Sequence, residues 1–135
     1  MGTWLPRAVA VLAGVSFVAL GAWAMVDPGS FFSSIAMFEP YNKHFVQDIG
    51  AFQIGLGAVL LLGAAAPRID GLAVALLGVG IGSTFHFLSH LVGGEHGGVP
   101  ERDIPLFGVA ALVLLAAGAW HWSANRAVAG PGEGA

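Results

Sequence analysis

The sequence predicts an all-α protein, an integral membrane four-helix bundle with a short interfacial helix in its first loop. Three observations carry that expectation. Hydrophobic residues fill 56 % of the 135 positions and charged residues 10 %, against roughly 25 % charged in a soluble domain. The apolar residues gather in four stretches, at about 6–26, 45–66, 72–92 and 104–122, each near the ~20 residues that a membrane-crossing helix needs. The connection DPGSFFSSIAMFEPYNK between the first two is too apolar for a plain solvated linker.

Arg7 precedes most of the first stretch, and Ala22-Trp23-Ala24 near its end imitates a secretory cleavage site. With Met1 as the first residue, the segment is read as a retained span. Asp27-Pro28-Gly29 ends it. In the first loop Phe31, Phe32, Ile35, Met37, Phe38 and Tyr41 predict a short helix over about 30–38, lying on the membrane surface or over the bundle mouth. Pro67-Arg68-Ile69-Asp70-Gly71 makes a tight second connection, and Gly93-Gly94 through Pro100 opens a glycine-rich third loop.

Residues 1–127 are expected to form one four-span domain, and the small, glycine-rich 128–135 a flexible tail. Four spans place both termini on one side. Arg7, Arg68 and Arg126 lie on that side, and Lys43 and Arg102 on the other. The excess predicts cytoplasmic termini in a cell's plasma or inner membrane.

Cysteine is absent, which excludes a disulfide framework, thiolate chemistry and Cys-ligated zinc or iron–sulfur sites. Any metal here must take nitrogen and oxygen ligands. The net charge of −3 includes no basic run, so a nucleic-acid partner is not expected.

The segment HFLSHL places His86 and His90 one helical turn apart in an otherwise apolar run, and His44 and Asp48 have the same spacing at the start of the second stretch. The second span enters the membrane where the third leaves it, so the two pairs share a depth. Asp48 and His90 fall about 3–5 Å below the interface and His86 about 9 Å. His44 and Asp48 share a helix face with Ala51 and Gly55, and His86 and His90 share one with Ala75, Val79, Gly82 and Gly93. Small residues let transmembrane backbones approach closely, so each pair is expected to point at a neighbouring helix, with Leu77, Leu88 and Leu91 on the lipid side.

Three imidazoles and a carboxylate suit zinc, iron, manganese or copper. His44, Asp48, His86 and His90 are thus the candidate metal ligands, His86 and His90 the candidate cofactor-binding residues, and Asp48, His86 and His90 the catalytic candidates. One histidine could instead hold a haem iron. The competing reading is polar glue, hydrogen bonds across two helices contributing on the order of 0.6 kcal/mol each. H-x-x-x-H without the glutamate of H-E-x-x-H does not support a zinc protease.

Gln53 reads as a helix-contact hydrogen bonder, Glu95 and His96 as solvated loop residues, and His121, between Trp120 and Trp122, as part of an interfacial anchor. Gly78-x-Gly80-x-Gly82 sits mid-span, where helix packing explains it better than nucleotide binding.

The stretch NKHFVQDIGAFQIGLGAVLLLGA, followed by STFHFLSHL, resembles small actinobacterial four-span membrane proteins near the DoxX-like group. Asn42, His44, Phe45, Asp48, Gly50, His86 and His90 carry the resemblance, which covers the second and third spans, roughly half the chain. It implies the four-span fold and the His/Asp constellation, and names no reaction.

Two functions remain open on the sequence. One is a membrane enzyme or cofactor-binding protein acting on a small lipophilic molecule. The other is a non-catalytic scaffold, docking a larger membrane partner or a second copy of itself through its Gly/Ala faces.

Overall fold

A computed structural model describes residues 4–66, 69–93 and 98–129. It is helical throughout, with α1 (Trp4–Val26), α2 (Pro28–Phe31), a turn of π-helix (Phe32–Ala36), α3 (Lys43–Ala65), α4 (Ile69–Gly93) and α5 (Pro100–Ala129), and no strand among the described residues. Helices α1, α3, α4 and α5 are each long and apolar enough to cross a membrane. The chain is an all-α integral membrane protein. One end of the bundle, termed the termini end below, holds the start of α1, the end of α3, the start of α4 and the end of α5; the other, termed the loop end, holds α2, the π-helical turn, the end of α4 and the start of α5.

The helix starts follow local rules. Asp27 accepts from the Ser30 N–H at 3.1 Å, with Pro28 in the first helical position of α2. Asn42 accepts from the Phe45 N–H at 3.1 Å to start α3. Each side-chain oxygen thereby serves one of the amide groups that a helix start leaves unpaired. The π-helical turn ends at Met37, whose φ of 44° turns the chain left-handed. The expected short helix in the first loop is therefore present, as α2 and the π-helical turn.

Packing concentrates in two antiparallel pairs, α1 with α3 and α4 with α5, and is much thinner between α3 and α4. Glycine brings α1 and α3 together at two levels. A Cβ on Gly57 would fall 2.7 Å from the Gly14 carbonyl oxygen, and one on Gly21 would fall 2.6 Å from that of Gly50. No side chain fits such an approach without moving backbone. Gln47 donates to the Met25 carbonyl at 3.1 Å at one end of this pair, and Arg7 reaches the Ala64 and Ala66 carbonyls at the other. The Arg7 charge thus meets the negative end of the α3 dipole.

At the termini end all four long helices share a core that includes Ala10, Leu60, Leu72, Leu76 and Leu114. At the loop end Phe31 packs with Ala24 and Val46, surrounded by Phe32, Ile35 and Phe38. Edge-to-face contacts of Phe38 with Phe32 and with Phe45, both at 5.4 Å, fasten the first loop to the start of α3.

Candidate functional site

The two polar pairs have different surroundings. On α3 the buried face carries Val46, Gly50, Gly57, Leu60 and Ala64. Asp48 lies on the opposite face, and His44 meets it at 3.6 Å with side chains 86 % and 51 % exposed respectively. The expectation that this pair points at a neighbouring helix is corrected: Gly50 and Gly57, seven apart like Gly14 and Gly21, fix the contact face and turn the Ala51–Gly55 face outward. A Cβ on Gly55 would meet nothing within 4 Å.

On α4 the histidines do meet a neighbour, and it is α5. The imidazoles of His86 and His90 lie 4.8 Å apart between centroids, and the Phe107 ring sits 4.5 Å from the first and 4.7 Å from the second. Residue pairs four apart on facing helices interdigitate in this way. His86 stands about 10 Å along the helix from its end at Gly93. No side-chain hydrogen bond of either imidazole is found among the described residues.

An acidic group does approach the pair, and it is Asp103 rather than Asp48. The Asp103 residue is 3 % exposed. Its Oδ2 accepts the Val99 N–H at 2.7 Å, and its Oδ1 accepts Arg102 Nε at 2.6 Å. Reaching back to the residue that precedes its own helix, it closes the α5 start much as a capping box does. Between α4 and α5, Gly98 (φ 77°) offers no room for a Cβ: that atom would collide with Asp103 Oδ2 and lie 3.8 Å from His90 Cε1. Asp103 and His90 thus converge over Gly98. Arg102 extends the connection to the first loop, donating to the Ser34 and Ile35 carbonyls at 3.4 Å.

Among the described residues no three His, Cys, Asp or Glu side chains gather as a metal-binding group. The structure pairs His44 with Asp48 and His86 with His90, and does not join the pairs into the expected four-residue set. A metal or haem iron at the α4 pair would have two imidazoles to take, with Asp103 as an outer acceptor already engaged by Arg102. Of the residues behind the resemblance, Asn42 caps α3 and Gly50 packs on α1, so these two have structural duties.

Other placements differ from expectation. Leu77 packs against Gly118 on α5 instead of facing lipid, while Leu88 and Leu91 are exposed as expected. His121 is buried, at 2 % exposure, and among the described residues neither its Nε2 nor the buried Asn125 amide nitrogen one turn on has a hydrogen-bond partner. The Gln53 side-chain oxygen likewise has none. Glu95 and His96 lie outside the described residues. Sequence periodicity gives no sign of Asp103, whose role comes from the chain's course at Gly98.

The fold and this constellation define an all-α integral membrane protein with an imidazole pair set at the loop end of its third span. No protein-family profile matches the chain, and neither curated proteins nor solved structures contain a detectable relative.

Proposed function

We propose that this protein binds, and acts on, a small lipophilic molecule that reaches His86 and His90 from the bilayer. The observation that carries the reading is the pair itself: two imidazoles within a membrane span, packed edge-on or tilted against Phe107, exposed in part, and without hydrogen-bond partners among the described residues. Ionisable groups at such positions are costly and mark functional sites by default. Either ring can donate to or accept from a polar head, or serve as a general base. Asp103 lies near His90 with its oxygens engaged by the Val99 N–H and Arg102. On the proposed topology the site opens to the outer leaflet.

The test is the small-molecule content of protein purified in mild detergent, read by mass spectrometry together with metal analysis and an absorption spectrum. The expected result is a lipophilic compound that co-purifies with wild type and is lost from His86→Ala and His90→Ala. A transition metal or haem lost from the same variants would make the site a cofactor site. Identical contents in all three proteins would refute the reading.

A scaffold is the second reading, favoured by one observation: the small-residue positions Gly55, Gly78 and Gly82 have no neighbour within 4 Å of a built Cβ. A partner helix or a second copy would fill them, and a stoichiometric protein partner in the same purification would support it.

A further inference from the structure

Seven-residue steps carry the shared core up into the loop half of the bundle. Leu60, Val79 and Leu114 pack in one buried cluster on α3, α4 and α5. Seven residues from each, toward the loop end of its own helix, stand Gln53, His86 and Phe107. Such a step advances about 10 Å and falls only ~20° short of two turns, so the three continue the inward faces one layer above the apolar core. On α4 and α5 that layer is seen directly, in the 4.5 Å approach of the His86 and Phe107 rings. The level of Gln53 follows independently from the foot of the α3–α4 seam. Gly63 faces Gly71 and Ala75 there, and ten residues nearer the loop end α3 reaches Gln53 while α4 reaches 81–85, next to His86. Gln53 Oε1 is buried and has no hydrogen-bond partner among the described residues, although buried acceptors in native folds are nearly always paired. Access comes through the thin α3–α4 seam, where His86 is exposed and Gly82, one turn below it, has no neighbour within 4 Å of a built Cβ.

We infer that Gln53 is the third polar residue of the His86 and His90 site, and that the lipophile bound there is an alcohol or phenol whose hydroxyl group bridges Gln53 to an imidazole; the inference rests on the lipophile-binding reading of the histidines and names the head group. The donors and acceptors of these side chains select it. An amide oxygen only accepts, and a neutral imidazole offers one N–H donor and one acceptor nitrogen. A group between them must donate to Gln53 and accept from an imidazole, and a hydroxyl does both. A carboxylate, ketone or ether has no proton to give the amide oxygen, and an ammonium has no lone pair to take the imidazole N–H. The pairing survives rotation of the amide, because its NH2 can donate to the hydroxyl oxygen while an imidazole nitrogen accepts the hydroxyl proton. Depth selects the same class. His86 stands about 10 Å inside the helix end, where a charged head is costly and a neutral one is not. Asp103 keeps its oxygens on the Val99 N–H and Arg102, which leaves the head group to Gln53 and the imidazoles.

The experiment uses the full chain in phosphatidylcholine nanodiscs, with dodecanol and dodecyl methyl ether as paired probes, and reads the protection of His86 from carbethoxylation by mass spectrometry. The alcohol is expected to protect at about tenfold lower membrane concentration than the ether, because the ether leaves the Gln53 oxygen unpaired. Gln53→Met keeps the side-chain length and removes the amide, so the alcohol should lose that advantage and protect only as the ether does, with an unchanged or higher melting temperature. Gln53→Leu should behave alike. A Gln53 with a structural role alone would lower the melting temperature on substitution and leave the alcohol preference intact. That result would overturn the inference, as would equal protection by the two probes in wild type, which would mean that water serves Gln53. If neither probe protects while His86→Ala still releases a co-purifying lipophile, the hydroxyl assignment fails and the lipophile reading survives. If neither protects and His86→Ala releases nothing, both fall.

Discussion

Helix α3 meets a neighbour on each side, and the two seams differ. Against α1 it is joined by glycines at two levels, with Gly14 facing Gly57 and Gly21 facing Gly50, and by Gln47 and Arg7 at the ends. Against α4 it closes only near Gly63 and Ala75, leaving a groove and the unfilled positions Gly55, Gly78 and Gly82. Both seams are rich in small residues, so small residues alone do not decide contact. What decides it is spacing that matches on the two partners: seven-residue steps on α1 and α3 bring backbone to backbone at two levels, whereas α4 meets α3 in this way only where Gly71 and Ala75 face Gly63, and Gly78 and Gly82 find no counterpart. The unmatched seam is the one that leads to the imidazole pair. Stability is concentrated in one place and access in another, as expected where a binding site is drawn from the loosely packed part of a fold.

Substitutions in the two seams should therefore diverge. The largest loss is expected at the matched seam: Gly21→Leu and Gly57→Leu press a side chain into the opposite backbone and should cost 3 kcal/mol or more, at or beyond the usual overpacking range of about 1–3 kcal/mol. Thermal unfolding in detergent would measure it. The same change at Gly82 should leave the unfolding midpoint where it is, and a comparable loss there would show that α3 and α4 pack as tightly as α1 and α3.

Asp103→Ala comes next. It leaves the part-buried Val99 N–H without its acceptor, worth about 1 kcal/mol, and frees Arg102 from its side-chain partner at the first loop. Faster proteolysis within residues 28–41, together with the lower midpoint, would register both effects.

A smaller effect, of opposite sign, is expected at the termini end. His121→Leu replaces a buried, unpartnered Nε2 with apolar volume and should hold or raise stability by up to about 1 kcal/mol. A marked drop in the unfolding midpoint would mean that His121 has a partner. The least change is expected from Asp48→Ala, since an exposed ion pair contributes about 0–1 kcal/mol; a stability loss beyond that in a chemical-denaturant titration would place Asp48 inside the bundle.

The sequence reveals a good deal of this arrangement. Four apolar stretches end within a few residues of the observed helices except at α5, which begins at Pro100 and runs to Ala129, beyond the 104–122 expected from hydropathy, because its charged first turn is still helical. The aromatic content of the first loop was sufficient to anticipate α2 and the π-helical turn. Depth was legible too, because hairpin connectivity alone brings residues near 48 level with residues near 90. Facing was not. On α3 two small-residue faces compete, one with Gly50 and Gly57 and one with Ala51 and Gly55, and the choice depends on the register of Gly14 and Gly21 in another helix. Asp103 was hidden among loop charges for a related reason: its role comes from the turn of chain around Gly98, which no periodicity describes.

The central claim is that the polar site is assembled by α4 with α5 and that Asp48 stands apart from it. Because the chain has no cysteine, paired cysteines can be introduced without altering a background residue, and a short bifunctional thiol reagent joins only positions that face each other. Treatment of His86→Cys with Phe107→Cys, whose native rings lie 4.5 Å apart, compared with Asp48→Cys with His86→Cys, tests the claim directly. The arrangement described here predicts rapid cross-linking of the first pair and none of the second; efficient cross-linking of Asp48→Cys with His86→Cys, in place of the Phe107 pair, would contradict it.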